Sequence, residues 1–300
     1  MRKTKEWRIH VGAHKTATTH IQDTLESVYQ ELSHAGIEYI TRENIRNMGR
    51  FPTLNWWQRQ PILQRYFSKK DIHNHWIGSY KGRNETFLIS EENILGSVSD
   101  LLRSKIYPDI EKNLATLLFL KGDSKMTLFM SIRSFASVFS SAYAQQARMA
   151  KAKPGGFDTI KKNALNKPPT WSSIIKRIFN LIDADHLKIW KYEDYANNPD
   201  YFLSYLCKNK ISSFPHINPP TITRSPSAET IRLLEEICPK LPRYKRKEEA
   251  ARICSLGSGN NPFQPFSVHE SAALRASYEE DLAWIEKNYP DILINLPSQD

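Results

Sequence analysis

Five short apolar runs, none longer than seven residues, punctuate the first 190 positions: Trp7–Val11, Ile37–Ile40, Thr86–Ser90, Met126–Ile132 and His186–Trp190. Most of the segments between them repeat apolar residues at helical spacing. Ile21, Leu25, Val28 and Leu32 recur at steps of four, three and four before Gly36, a natural helix stop. Ser99–Thr116, Phe135–Met149 and Trp171–Ile182 read the same way. A chain that alternates like this must cover both faces of a parallel sheet, which predicts a three-layer α/β fold with a central sheet flanked by helices. Residues 1–300 read as one domain, with a loop-rich, aromatic insert over about 42–85. The part from about 197 to 300 reads as mostly helical. A capping-box pattern, Ser267 with Glu270, opens the last helix there and Pro290 closes it. The basic segment 151–170, with Pro-Gly-Gly near its start and Pro-Pro near its end, reads as loop.

Composition removes several classes. Glycine is scarce at 11 residues, and 40% of the chain is hydrophobic, which excludes collagen-like and disordered chains. The three cysteines are odd in number and form no Cys-x-x-Cys, so neither a disulfide framework nor a zinc site is expected. Lysine and arginine number 42 against 32 acidic residues, so anionic partners are favoured. No run of 18 apolar residues exists, and the opening Met1–Gly12 has no signal-peptide pattern; a cytoplasmic chain without a transmembrane segment is expected.

The segment GAHKTATT, between the first strand and the first helix, concentrates one cation and three hydroxyls. A helix N-terminus carries free N–H groups and a partial positive charge, so this is where a phosphate-type anion is held. Lys15 adds a full charge, and Thr16, Thr18 and Thr19 add donors. The Gly-Lys pair of a Walker A loop is absent. Further on, the strand Met126–Ile132 ends on Arg133, and Ser141 and Tyr143 follow in the next helix. Arginine offers a planar fork to a phosphate, and a serine two turns into a helix can reach the same anion.

VGAHKTATTHIQDTL resembles the 5′-phosphosulfate loop of the sulfotransferases that use 3′-phosphoadenosine 5′-phosphosulfate as donor. FMSIRSFASVFSSAY resembles their 3′-phosphate segment, and HLKIWKYEDYANNPDYFLSYL resembles a later stretch of strand, Tyr-Glu-Asp and helix. The resemblance spans roughly residues 7–206. It departs at Ala17, where the family usually has glycine, so that the methyl group requires allowed backbone angles there. The resemblance implies a P-loop-like fold and transfer of a sulfuryl group to a hydroxyl or amine of a glycan or small molecule, with acidic acceptors among the candidates. It implies no metal and no nucleic acid. His14, Lys15, Thr16, Ala17, Thr18 and Thr19 would hold the 5′ end of the donor, and Arg133 and Ser141 its 3′-phosphate. Adenosine 3′,5′-bisphosphate would be the product.

By the same resemblance Lys15 stabilises charge on the leaving phosphate. The acceptor also needs a general base. In open α/β sheets ligands bind beyond the carboxyl ends of the strands, which points to Glu91 and Glu92 after the third strand. The Ser-x-Glu pattern of similar bacterial sequences selects Glu92; Glu43, His73 and His75 remain competitors. Trp56, Trp57 and Trp76 are candidates for stacking on a ring, and Arg224 for approaching the nucleotide. Two other functions stay open: a P-loop kinase or other nucleotide phosphotransferase, and a noncatalytic polyanion or nucleic-acid binder using the net charge. The basic segments 151–167 and 240–252 read either as attracting an acidic acceptor or as a solvated basic face.

Overall fold

A computed structural model describes residues 6–47, 85–121, 124–217, 225–257 and 261–297. The five expected strands form one sheet: β1 Glu6–His10, β2 Ile37–Ile40, β3 Thr86–Ser90, β4 Lys125–Ile132 and β5 Leu187–Lys191. Its order is β2-β3-β1-β4-β5, and every pairing is parallel. The chain leaves β1 toward β2 on one side and leaves β4 toward β5 on the other. The crevice past the ends of β1 and β4 is therefore the topological switch point of the sheet.

Alternation of side chains across the pleat builds two cores. Trp7, Ile9, Phe87, Ile89, Met126, Leu128 and Met130 face the larger one. Its cover comes from α4 Val98–Leu101, α5 Ile110–Lys121, α6 Phe135–Arg148, α7 Gly156–Asn166 and α8 Trp171–Phe179, together with the C-terminal helices α11 Ala228–Ile237, α12 Arg243–Leu256 and α13 Val268–Asn288. Leu88, Phe129 and Trp190 face the smaller core. That side is covered by α1 Thr18–Ser27, α2 Tyr29–His34, α9 Tyr192–Asn197 and α10 Pro199–Leu206. Among the described residues a further short helix, α3 Arg42–Asn47, follows the edge strand β2.

On the smaller face β1 contributes two polar residues, Arg8 and His10, both buried. Arg8 donates from Nε to the Leu206 carbonyl at 2.8 Å and from Nη2 to the Tyr205 carbonyl at 2.6 Å. A guanidinium thus sits on the negative end of α10. Its third contact is Glu6 at 3.0 Å, whose carboxyl is held below its ordinary pKa by Lys208 and Arg8 against the opposing effect of burial. His10 stacks on Trp190 at 5.4 Å, and its Nδ1 lies 2.9 Å from the Ser90 hydroxyl.

Two sequence expectations are corrected. The single helix over Ser99–Thr116 is two, α4 and α5, because Pro108 cannot continue a helix and Tyr107 before it sits at φ 46°. The loop over 151–170 holds α7, started by Gly155 in the left-handed conformation at φ 63°. Phe157 of that helix packs edge-on against Tyr143, Phe263 and Phe266, and Lys161 is spent on Glu270 at 2.7 Å and on the Pro265 carbonyl at 3.0 Å. Apolar contacts made by residues about 100 positions away thus decide a segment whose composition reads as loop. The capping box at the start of α13 is present as expected, with Ser267 and Glu270 bonded reciprocally. No helix among the described residues is long and apolar enough to cross a membrane.

Burial pushes the His10 pKa down to about 3, from the usual histidine value of 6.5. The unfolded chain therefore takes up a proton that the folded chain refuses. The stability due to neutral His10 is complete above pH 6.5 and is lost as pH falls toward 3. This one group should cost about 2 kcal/mol of stability between pH 7 and pH 5. Urea unfolding at the two pH values should show the loss in the wild type and much less of it in His10→Gln. Equal losses in both proteins would remove His10 as the cause.

Candidate functional site

The turn between β1 and α1 is stitched to β4. The pairing of the strands continues past their ends, with Val11 N–H to Phe129 O at 2.9 Å, Ala13 N–H to Ser131 O at 3.0 Å and Ser131 N–H to Gly12 O at 2.6 Å. Gly12, Lys15 and Ala17 all have positive φ, at 97°, 68° and 68°. Gly12 fits because a Cβ there would lie 3.2 Å from Glu92 Cβ. Alternation of left-handed residues curls main-chain N–H groups into a concavity. Ala17, where the resembled family usually has glycine, takes a conformation that glycine adopts more cheaply.

The hydroxyls of Thr16 and Thr18 both turn back to the Ala13 carbonyl, at 2.7 and 3.3 Å, while Thr19 is exposed. No side chain caps α1, so the first N–H groups of the helix are left to the turn. Nor does any side chain cap α6, which begins beside the end of β4. By contrast α8, α10, α11 and α13 are all capped by side-chain oxygens. The helix α9, which follows β5 and presents Tyr192 to Arg133, also starts without a side-chain cap, as do α2, α7 and α12.

His14 is buried and held from behind. Its backbone N–H donates to the Tyr107 hydroxyl at 3.2 Å, and its Nδ1 lies 2.9 Å from the same oxygen. Burial lowers its pKa, opposed by Glu92, Asn93 and Glu91. Tyr107 is itself fixed by Arg177 of α8, which donates to the carbonyls of Ile106, Tyr107 and Pro108 at 2.7, 2.8 and 3.2 Å. His14 is thus a buried anchor of the turn, and its ring is engaged with protein.

Arg133 comes to the turn from β4. Its Nη1 is 3.4 Å from the Lys15 carbonyl, and its guanidinium lies 4.0 Å above the Tyr192 ring. The Trp171 indole N–H donates to its backbone carbonyl at 2.8 Å. Lys15 Nζ donates to Gln145 Oε1 at 3.3 Å. Burial pushes the Lys15 pKa down, Glu92 pulls it up, and Arg148 and Arg133 push it down further. The contact with Gln145, three turns into α6, carries that helix across the carboxyl edge of the sheet. Ser134, Ser137, Ser141, Gln145 and Arg148 form its half-exposed stripe, at spacings that keep them on one side. Ser141 therefore lies one turn before the residue that touches Lys15.

The two glutamates after β3 separate. Glu91 is buried, and its Oε1 accepts from the Asn93 backbone at 3.0 Å and from the Asn93 amide at 2.6 Å. Glu92 is half-exposed, packs against Gly12 and acts electrostatically on both Lys15 and His14. Glu43, on α3, lines a different cleft with Glu26, Tyr29, Thr41 and Arg42. Tyr143 turns away from Arg133, bonding to Glu235 and to the Lys153 carbonyl. His73, His75, Trp56, Trp57, Trp76 and Arg224 lie outside the described residues.

Sequence reasoning missed Tyr107, Gln145, Arg148 and Tyr192. The steps from Ser141 to Gln145 to Arg148 are helical, so that periodicity held a usable signal for two of them. A scan against family models and a search of curated proteins find no match to this chain.

Two substitutions test how the turn is held. Tyr107→Phe removes the partner of two buried His14 groups and should lower stability by about 1–3 kcal/mol. Ala17→Gly should leave stability unchanged or raise it by up to about 1 kcal/mol, since relief of the left-handed strain offsets the entropy of glycine. Chemical denaturation of both variants checks this; a loss of more than about 1 kcal/mol in Ala17→Gly would contradict the strain.

Proposed function

We propose that this chain is a sulfotransferase, moving a sulfuryl group from 3′-phosphoadenosine 5′-phosphosulfate to a hydroxyl or amine of a glycan or small-molecule acceptor. The observation that carries the reading is the meeting of Lys15 and Arg133 at one crevice, the guanidinium within 3.4 Å of the lysine's own carbonyl. A ligand with an anionic group at each end needs two such cations on one path. The uncapped starts of α1 and α6 support the same reading, because their N–H groups are available to anionic oxygens.

On this reading the turn 12–19 holds the 5′-phosphosulfate through main-chain N–H groups rather than through the hydroxyls of Thr16 and Thr18, which serve Ala13. Arg133 and Ser141 hold the 3′-phosphate. The donor supplies an activated sulfur–oxygen bond. In the transfer the acceptor oxygen bonds to sulfur, the bond from sulfur to the phosphate oxygen breaks, and the acceptor proton passes to Glu92. Lys15 meets the charge that grows on the phosphate oxygen, where a partly buried cation acts more strongly than in water. Glu92 is the base of choice because Glu91 is committed to Asn93. No metal enters the scheme.

Isothermal titration should show binding of adenosine 3′,5′-bisphosphate, with Arg133→Ala weakening it by about ten- to a hundredfold, the loss of a charge-assisted contact of about 1.5–3 kcal/mol. With labelled donor and a panel of acceptors, Lys15→Ala should lower turnover by at least about a hundredfold. Glu92→Gln should lower it similarly while keeping nucleotide affinity. Because burial depresses the Lys15 pKa, the protonated lysine is lost at lower pH than in free lysine. The alkaline limb of the rate profile should therefore fall before pH 10.5, and Lys15→Arg should move it upward. Binding of magnesium–ATP in preference to adenosine 3′,5′-bisphosphate would turn the assignment to a phosphotransferase.

A further inference from the structure

Arg133 stands just past the end of β4, whose last residue is Ile132. Much of what fixes it there comes from the C-terminal helix α13. Asp281 and Tyr278 of that helix are both buried and lie three residues apart, on nearly one side. Asp281 Oδ2 accepts from the Trp171 backbone N–H at 2.5 Å, and its Oδ1 from the Ser172 N–H at 3.0 Å. Thr170 accepts from the Ser173 N–H at 3.3 Å. The first three N–H groups of α8 are thus all taken by side-chain oxygens, two of them by a carboxylate from another helix. With its backbone pinned in this way, Trp171 stacks on Phe135 at 4.6 Å and donates its indole N–H to the Arg133 carbonyl at 2.8 Å. Tyr278 takes the other side. Its hydroxyl lies 3.4 Å from the Ile132 carbonyl and 3.2 Å from Glu193 Oε2, and its single proton is shared between them. Glu193 adjoins Tyr192, the ring over which the Arg133 guanidinium sits.

We infer that Asp281 and Tyr278 are positioning residues of the donor site, acting through the backbone of Arg133 to set how tightly the 3′-phosphate is held. This rests on the sulfotransferase reading, which gives Arg133 that phosphate, and it adds a role for the C-terminal helix. Peptide units are planar, so holding the carbonyls on both sides of one Cα sets the direction in which its side chain leaves the chain. For Arg133 that direction brings Nη1 to 3.4 Å from the Lys15 carbonyl and lays the guanidinium 4.0 Å above Tyr192. A planar fork grips a phosphate only when it is aimed, and a misplacement of about half an ångström degrades the contact. The effect is selective by construction. Loosening Arg133 weakens the hold on the 3′-phosphate, whereas the 5′ end is held by the turn 12–19, which is stitched to β4 by its own hydrogen bonds.

Titration calorimetry with two nucleotides separates this role from a structural one: adenosine 3′,5′-bisphosphate, and adenosine 5′-phosphate, which lacks the 3′-phosphate. The wild type should prefer the bisphosphate by at least about tenfold. Asp281→Asn keeps the shape but turns one acceptor into a donor. It should weaken the bisphosphate by about five- to thirtyfold and leave adenosine 5′-phosphate within about twofold. Tyr278→Phe, which removes one oxygen, should weaken the bisphosphate by about two- to fivefold with the same selectivity. In Arg133→Ala protein either change should cost less than about a further twofold, because the group it positions is gone. Equal weakening of both nucleotides, an undiminished loss in the Arg133→Ala background, or a lowered melting temperature with the bisphosphate preference intact would overturn the inference and leave the sulfotransferase reading standing. Should Asp281→Asn fail to fold, Tyr278→Phe and Trp171→Phe, which deletes the indole N–H, decide the matter by the same comparison. A wild type that binds the two nucleotides equally would remove Arg133 as the holder of the 3′-phosphate, and with it both the sulfotransferase reading and this inference.

Discussion

The parallel pairing of β1 with β4 is the constraint on which the rest of the molecule depends. It does not stop where the strands stop. Three further backbone hydrogen bonds, from Val11 and Ala13 to β4 and from Ser131 back to Gly12, zip the turn onto the end of β4. Without them the turn would be a surface loop whose position relative to Arg133 is set only by chain connectivity. With them, Lys15 and Arg133, 118 positions apart, are placed by the same ladder that builds the core. The precision of the crevice is thus inherited from the sheet, which is why a site made of loop residues does not need a loop's usual freedom.

Holding the turn in that shape has a cost. Lys15 and Ala17 are both left-handed without being glycine, at about 1–2 kcal/mol each. A chain accepts such conformations only where neighbouring contacts over-determine them. Those contacts form a relay: Arg177 fixes the carbonyls of 106–108, Tyr107 holds the backbone and ring of His14, and the Thr16 hydroxyl closes on Ala13. The same left-handed residues turn backbone N–H groups to one side, so the strain and the concave shape of the turn have one geometric origin.

Much of this was legible in the sequence, and what was not has a physical reason. The strands could be read because each is a short apolar run with β-branched or aromatic content, and a parallel sheet buried on both faces needs nothing subtler. The turn could be read because a cation and hydroxyls between strand and helix are a local pattern. The division of α4 from α5 was available at Pro108 and was outweighed by the apolar spacing on either side. The helix α7 was not available, because Phe157 is decided by Phe263 and Phe266, more than 100 residues on. The different contacts of Glu91 and Glu92 were equally hidden, although the Ser-x-Glu pattern had favoured Glu92. Both follow the same strand, and only the fold shows that one carboxylate turns to Asn93 while the other packs on Gly12. Likewise His14 reads in sequence as a member of the binding loop, yet its ring is occupied by Tyr107.

The electrostatics of Lys15 link this geometry to chemistry. A lysine left wholly to burial would lose its proton, and one beside a close carboxylate would be neutralised as a catalyst. Lys15 lies between these extremes. Burial and two arginines push its pKa down, while Glu92 pulls it up without a direct salt bridge among the contacts described. Its hydrogen bond to neutral Gln145 orients the ammonium group while leaving its charge uncompensated. A dianionic or trianionic ligand entering such a crevice would raise the lysine's affinity for its proton, since the new negative charge opposes both arginines. Ligand binding and protonation of Lys15 are therefore mutually reinforcing: by linkage, whatever binds more tightly to the protonated crevice also fixes the proton there.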